Sequence, residues 1–398
     1  MATDNNNKVL NVPNLRFPEF SGEWERDSLM NIASISKGSG ISKEQLSDSG
    51  LPCILYGELY TKYKSEVITD IYSKTDIETK GLVSSMANDV IIPCSGEAAI
   101  EIATARCVPM SNILLGGDLN IIRLNGHDGR FFAYQLNGKR KIDIAKVAQG
   151  VSVVHLYGEH LKKINVVYPS FAEQNKIAQL LSLIDERIVT QNKIIEKLES
   201  LIKGICNKLL FADNGKPVRL IDILTERTEK TKENNQHEVL SSTVKGIFSQ
   251  REYFSKDIAS ENNIGYKIIR LYDIVLSPQN LWMGNINYNE KFKVGIVSPS
   301  YKIFSIKAEF DKRFVAFMLK THRALYNYML VSEQGASVVR RNLNMEAFEQ
   351  LVFKMPPYNK QREIGKTLSL LQTRLELESK IKLNYEQQKK NLLTEMFI

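Results

Sequence analysis

The stretch that decides the fold is EQNKIAQLLSLIDERIVTQNKIIEKLESLIKGICNKLL, residues 173–210. Its apolar positions alternate in steps of three and four, and they are Ile177, Leu181, Ile184, Ile188, Ile195, Leu198, Ile202, Ile205 and Leu209. Only Gln191 breaks the series, and we interpret it as a residue that fixes the register of helix pairing. The spacing predicts one helix of roughly 55 Å with a narrow apolar stripe, which requires a partner helix to be stable.

The predicted partner is the C-terminal end of the same chain. Residues 356–397, PPYNKQREIGKTLSLLQTRLELESKIKLNYEQQKKNLLTEMF, repeat the first stretch 187 positions later. Pro169 matches Pro356, and Gln174 matches Gln361. The chain is therefore interpreted as a tandem duplication of a globular head followed by a long helix.

Length and composition are those of an ordinary soluble protein with two domains. The chain has 398 residues, of which 43% are apolar and 25% charged, and it has no apolar run of about 20 residues that would span a membrane. The polar N-terminus MATDNNNKVL predicts a short disordered leader and not a secretory signal. A net charge of +8 favours a polyanionic partner only weakly, because the basic residues are spread over the whole sequence.

The cysteines indicate a cytoplasmic protein. Cys53, Cys94, Cys107 and Cys206 show no paired spacing, and the five histidines form no ligand pattern with them. We expect reduced, buried thiols and no metal site.

Each head is predicted to be a mixed α and β domain. Trp24 and Leu29 are expected to anchor the start of the first head in its core. Short apolar runs rich in branched residues predict strands, and a helical pattern follows them; the strands are placed at 53–55, 89–93 and 119–124, and the helical pattern at 130–148.

The second head repeats landmarks of the first. LIDIL at 220–224 stands where LMNIA stands at 29–33, Asp273 corresponds to Asp89, and QGASVV at 334–339 repeats QGVSVV at 149–154. Asp213, Asn214 and Gly215 are expected to end the first long helix and turn the chain. Between these landmarks the heads share little, which favours one scaffold that reads two different targets.

Helix pairing decides the topology. An antiparallel pair needs only a short link to the second head, whereas a parallel pair would require the chain to return over roughly 55 Å. The expected fold is α+β, with two heads joined by an antiparallel coiled coil and related by a pseudo-two-fold axis. Such a molecule suits duplex DNA with two half-sites. The alternative is a coiled-coil scaffold with two protein-binding heads.

These features resemble the specificity subunit of bacterial type I restriction-modification enzymes. The resemblance is carried by LRFPEFSGEWERDSL, DVIIP, the two QG[VA]SVV turns, and YPSFAEQNKIAQLLSLIDERI with its copy MPPYNKQREIGKTLSLLQTRL. The second helix departs from the pattern, because Glu378, Lys382 and Lys389 occupy seam positions. The predicted divisions are a first target recognition domain at 1–164, a helix at 165–213, a second target recognition domain at 214–352 and a helix at 353–398.

The resemblance implies a protein without catalytic activity that binds double-stranded DNA. Each target recognition domain would read half of an asymmetric site, and the helix pair would set the spacer. The implied partners are two methyltransferase subunits, which use S-adenosylmethionine to modify adenine at N6, and motor-nuclease subunits. No cofactor is expected in this chain.

Sequence motifs support the absence of catalysis. MPPY at 355–358 differs from the amino-methyltransferase signature, because Met355 cannot accept a hydrogen bond from a target amine. KGSG at 37–40 is too short for a phosphate-binding loop, and no Ser, His and Asp constellation can be assembled.

DNA contacts are predicted where Lys or Arg occurs with amides and aromatics, because phosphates need cations and base edges need directed donors and acceptors. In the first head these residues are Lys37, Ser39, Tyr56, Lys62, Tyr63, Lys64, Ser95, Lys139, Arg140 and Lys141. In the second head they are Lys245, Arg251, Gln279, Asn280, Trp282, Arg340 and Arg341. Arg340 and Arg341 are favoured, because they follow the repeated turn and arginine can pair bidentately with guanine.

Overall fold

The computed structural model describes residues 11–209, 215–253, 262–334 and 340–398. The predicted leader at 1–10, Asp213 and Asn214 of the predicted helix stop, and most of the second QG[VA]SVV turn, 335–339, lie outside these residues. The chain forms two compact units: unit 1 contains the residues up to Asn192 together with Lys380–Ile398, and unit 2 contains Lys193–Ser379.

Unit 1 is built from short strands and short helices. Its strands are β1 (Glu25–Ser28), β2 (Ala33–Lys37), β3 (Leu51–Ile54), β4 (Ser73–Thr75), β5 (Asp89–Pro93), β6 (Ser95–Gly96), β7 (Arg106–Val108), β8 (Leu114–Leu115), β9 (Leu119–Leu124), β10 (Val154–His155) and β11 (Asn165–Tyr168). Its helices are α1 (Leu29–Ile32), α2 (Glu58–Thr61), α3 (Ala99–Ile102), α4 (Gly129–Asn137), α5 (Lys141–Val147), α6 (Gly158–Leu161) and the first part of α7 (Phe171–Leu209).

The centre of unit 1 is an antiparallel sheet in the order β2-β9-β5-β7. The predicted strands at 89–93 and 119–124 are confirmed as β5 and β9, and the predicted strand at 53–55 is confirmed as β3 with shifted ends. Trp24 and Leu29 are buried, as predicted, in one apolar core with Phe131 and Phe132 of α4. The helical pattern at 130–148 is two helices, because the C-cap of α4, Gly138, leaves the helical conformation with φ −91° and ψ −104°.

Unit 2 uses the same types of element. Its strands are β12 (Lys216–Arg219), β13 (Leu224–Glu226), β14 (Leu240–Thr243), β15 (Gly246–Ser249), β16 (Lys267–Arg270), β17 (Ile274–Leu276), β18 (Ile286–Tyr288), β19 (Val294–Val297), β20 (Lys302–Ile306), β21 (Ser332–Gln334), β22 (Arg341–Leu343) and β23 (Val352–Met355). Its helices are α8 (Leu220–Ile223), α9 (Gln250–Tyr253), α10 (Lys312–Leu319), α11 (His322–Leu330), α12 (Met345–Glu349) and the first part of α13 (Tyr358–Glu395).

The duplication predicted from the sequence is visible in the secondary structure. The sheet of unit 2 has the order β13-β20-β17-β18, and the flanking pair β12-β23 corresponds to β1-β11 in unit 1. Asp89 and Asp273 are both buried, and each follows a residue with positive φ, Asn88 at 80° and Tyr272 at 73°. Each aspartate accepts hydrogen bonds from an arginine, but Arg123 lies on β9 whereas Arg227 follows β13. The two heads therefore share a frame and differ in detail.

The long helices pair antiparallel, which confirms the predicted fold class. In unit 1, Asp185 of α7 lies 2.6 Å from the Lys389 ammonium near the end of α13. In unit 2, Ile202 near the end of α7 packs in one apolar cluster with Ile364 and Leu368 near the start of α13. The beginning of each helix therefore lies against the end of the other.

In each unit, a glutamine near the start of the long helix attaches that helix to the head. The Gln174 side chain donates to the Pro169 carbonyl at 2.8 Å and accepts from the Asp128 amide at 3.1 Å. Asp128 is the N-cap of α4, so this glutamine joins the start of α7 to the start of a core helix. In unit 2, Gln361 donates to the Pro356 carbonyl at 2.8 Å and accepts from the amide of the α10 N-cap Asp311 at 3.0 Å. The repeated glutamine of the sequence thus makes the same contacts twice.

We predict that Gln174→Ala lowers the free energy of unfolding by about 1–3 kcal/mol, because it leaves the buried Asp128 amide without its acceptor. Urea unfolding of the full chain measures the effect, with Gln387→Ala, an exposed position of α13, as the matched control. Equal unfolding curves for the two variants would contradict a structural role for the glutamine.

Candidate nucleic-acid interface

The structure groups three of the predicted DNA contacts near the ends of β2 and β5. Lys37 is the exposed last residue of β2, whose neighbour Gly38 donates to the Leu119 carbonyl. Ser39 accepts from the Val83 amide at 2.7 Å, and the buried Ser95 lies 3.3 Å from Asp118. Lys37 is thus the exposed cation of this group, while the two serine hydroxyls already have partners within the chain.

A second group surrounds helix α2. Lys62 binds Glu58 at 2.6 Å and Ser73 at 3.0 Å, whereas Lys64 is exposed. Tyr56 is half-buried and packs against the core below. Tyr63 is buried, and its carbonyl accepts from the Arg106 guanidinium at 3.0 Å. Lys62 and Lys64 are therefore exposed on this surface, whereas Tyr63 is buried.

The basic turn between α4 and α5 lies beside the buried Arg106. Lys139 is exposed, but the Arg140 guanidinium donates to the carbonyl of Ile398 at 3.2 Å and lies 3.6 Å from Asp143. Burial, and then the nearby charge of Arg106, lower the pKa of Lys141. The three consecutive cations therefore differ in environment, and only Lys139 projects into solvent.

A buried ionic cluster connects the second group to the long helices. Lys389 of α13 pairs with Glu66, two residues beyond Lys64, and with Asp185 of α7. The hydroxyl of Tyr134 donates to Asp185 at 2.8 Å. Burial raises the pKa of Asp185; burial alone would lower the pKa of Lys389, but Glu66 and Asp185 outweigh it and raise that pKa. The cluster fixes the segment after α2 on both helices.

In unit 2, the predicted residues around 279–282 lie beside the hairpin of β21 and β22. The Arg341 amide donates to the Gln279 carbonyl at 3.2 Å. The Arg341 guanidinium is half-buried and donates to the carbonyls of Ser332 at 2.8 Å and Met329 at 3.4 Å. Arg340 is exposed, and Asn280 and Trp282 are half-buried. Arg341 thus supports the hairpin, and Arg340 is the arginine that solvent reaches.

Lys245 lies at a cavity of about 260 Å³ in unit 2. Asn287, Arg313 and Lys320 also line it, with Phe248 and Phe317 as apolar walls. Much of the surface of Lys320 is exposed. Its ammonium group, however, donates to Asn287 at 2.7 Å, and burial of that group lowers the pKa of Lys320. The predicted contact Arg251 is exposed on α9, which follows β15.

Sequence patterns missed Asn287, Arg313 and Lys320 as residues of this cavity. Lys320 sits just past the end of α10, and its sequence neighbours do not distinguish it from an ordinary surface lysine. The alternating asparagines of NINYN at 285–289 are the one sequence signal for the polar wall, because alternate residues of a strand face the same side.

The described residues contain no cluster of three or more His, Cys, Asp or Glu side chains suited to a metal ion. Cys53, Cys94 and Cys107 are free and buried as predicted, but Cys206 is only half-buried. Burial raises the pKa of Cys53 and of Cys94 to about 11, so both thiols remain protonated at neutral pH.

In the part of the chain described, no helix combines the length and apolarity needed to cross a bilayer.

Comparison with known proteins agrees with this architecture. The family model for the type I restriction modification DNA specificity domain matches twice, at residues 21–200 and 216–387. The "Putative type I restriction enzyme MjaX specificity subunit" of Methanocaldococcus jannaschii is 22% identical, over 97% of this chain and 95% of its own length. The crystal structure of a type I restriction-modification S subunit from M. genitalium has the same fold, with a TM-score of 0.67, 16% identity and coverage of 97% and 99% of the two chains.

The match of a DNA specificity domain to each half of this duplicated head-and-helix fold defines the class as DNA-recognition proteins. The chain belongs to the family of type I restriction-modification DNA specificity subunits. This confirms the resemblance seen in the sequence and the assignment of a non-catalytic, DNA-recognising role. The individual DNA contacts in the two heads stay predictions.

The different environments of Arg340 and Arg341 predict different effects of substitution. We expect Arg340→Ala to weaken binding of the chain's target duplex by about 1–3 kcal/mol, because the exposed side chain can reach the DNA. Arg341→Ala is expected to lower the urea midpoint, because it removes the donors to Ser332 and Met329. Fluorescence anisotropy and urea unfolding measure the two effects. Equal DNA affinity for wild type and Arg340→Ala would contradict the contact.

Proposed function

We propose that this chain reads a bipartite, asymmetric DNA site. One head recognises each half-site, and the antiparallel helices set the spacer between the halves. The observation that carries this proposal is the repeated glutamine attachment, Gln174 in unit 1 and Gln361 in unit 2, on heads whose exposed polar residues differ. A common attachment holds each head on its helix in the same way, while different surfaces provide two specificities.

The proposed partners follow from the family role. Two methyltransferase subunits would dock on this chain and modify adenine at N6 with S-adenosylmethionine bound in those subunits. Motor-nuclease subunits would complete a restriction complex in the cytoplasm. This chain would contribute no cofactor, and its part would be to position the methyltransferases at the two half-sites.

Exchange of residues 39–150 for the matching segment of a relative with another specificity tests whether the first head reads one half-site and the helix pair sets the spacer. In a complex with the methyltransferase, we expect the exchange to change one half of the methylated sequence and leave the other half and the spacer unchanged. Sequencing of modified adenines measures the outcome. Unchanged methylation sites would contradict DNA reading by the first head, and would favour the alternative of a scaffold whose heads bind proteins.

A further inference from the structure

The QGVSVV turn of the first head forms a tightly closed loop. Gln149 and His155 exchange two backbone hydrogen bonds, of 2.8 and 2.7 Å, which close the loop at its base. Gly150 has a φ of +123°, and a Cβ at this position would overlap the carbonyl oxygen of Val153. Only glycine fits there, so the sequence specifies the shape of the loop.

The base of the loop is fixed to the head. Strand β10, which closes the loop, pairs with β6 through Val154 and His155. The next residue, Leu156, is buried; its amide donates to the Cys94 carbonyl at 2.7 Å, and its carbonyl accepts from Asn120 at 2.9 Å. The loop therefore projects from an ordered support.

The tip of this loop is apolar and exposed. Val151 is 98% exposed and Val153 is 52% exposed. His155 stacks on Tyr157, which is 44% exposed, beside the base of the loop. Residues 149–154 contain no charged side chain. Two exposed branched side chains on a rigid turn are typical of a preformed contact for another molecule.

The second copy of the loop sequence indicates what kind of molecule binds the loop. The sequence recurs as QGASVV at 334–339, although the heads share little else between their landmarks. A sequence kept in two heads that read different half-sites favours a contact with something present at both half-sites. Phosphates are bound by cations as well as by hydroxyl and amide donors. Residues 149–154 contain no cation, and the two exposed valines fit an apolar protein surface better than they fit the DNA backbone.

We propose that this loop docks a methyltransferase subunit, with Val151 and Val153 inserted into an apolar recess of that subunit. The inference rests on the proposed function, which brings one methyltransferase to each head. The loop of the first head holds one copy. The loop acts beside any contacts that the long helices make.

The test measures assembly of the full chain with its purified methyltransferase subunit in the absence of DNA, by titration calorimetry and analytical ultracentrifugation. The variants are Val151→Asp and Val153→Asp, each of which places a charge at the tip. Val244→Asp is the matched control, because Val244 is 51% exposed at a turn of unit 2. Circular dichroism and the melting temperature verify folding of each variant.

We expect wild type and Val244→Asp to bind two methyltransferase subunits. Each loop variant should bind one of the two at least tenfold more weakly, so that the main complex at micromolar concentration contains one methyltransferase. Wild-type binding of two subunits by the loop variants would overturn the inference alone. In a separate titration with DNA, loop variants that assemble normally but lose affinity for the duplex would assign the loop to DNA binding and would also overturn the inference. Failure of the wild-type chain to bind any methyltransferase would instead overturn the proposed function.

Discussion

The attachment of each head to its helix depends on a buried glutamine amide. A buried amide must satisfy both its donor and its acceptor, and Gln174 does so with the Pro169 carbonyl before α7 and the N-cap of α4. This fixes the start of the long helix against a core helix of the head. In unit 2 the close approach of Asp311 and Phe314 leaves room only for a glycine at position 365, where unit 1 has Ala178. The attachment is therefore common, and the packing around it is particular to each head.

The seam between the helices carries the main asymmetry of the duplication. Asp185 and Lys389 form an ion pair in unit 1, whereas the positions related to them by the repeat, Gln372 and Ile202, carry no charge. A buried ammonium is tolerated only beside its carboxylates, so another register would leave Lys389 without compensation. The ionic cluster thus specifies the pairing of these two helices as well as the position of Glu66.

Periodicity and repetition predicted the two long helices and three strands of the first head. The apolar stripe located α7, and bounded apolar runs located β5 and β9 to the residue, because these signals are local. The repeat of the α7 sequence then located α13. The patterns read Lys389 only as an irregularity in the seam, because its partner Glu66 lies 323 residues away in the chain. Because the two residues are so far apart in the sequence, local sequence patterns cannot predict this ion pair.

The candidate interface was less predictable than the fold. The sequence predicts Tyr63 and Arg341 as DNA contacts. In the structure Tyr63 is buried, and the Arg341 guanidinium donates to the backbone carbonyl of Ser332. Lysine and arginine are used both for surface contacts and for bonding internal carbonyls, and the sequence around them does not distinguish these uses. The three-dimensional environment separates Arg340 from Arg341, and Lys64 from Tyr63.

The most direct test of the account is a map of modified adenines in cells that contain this chain and its methyltransferase but no other modification enzyme. The account predicts one asymmetric motif in two parts, separated by a spacer of fixed length and unspecified sequence, with a modified adenine in each part. A single uninterrupted motif, or two parts at variable separation, would contradict the claim that duplicated heads on one helix pair read two half-sites.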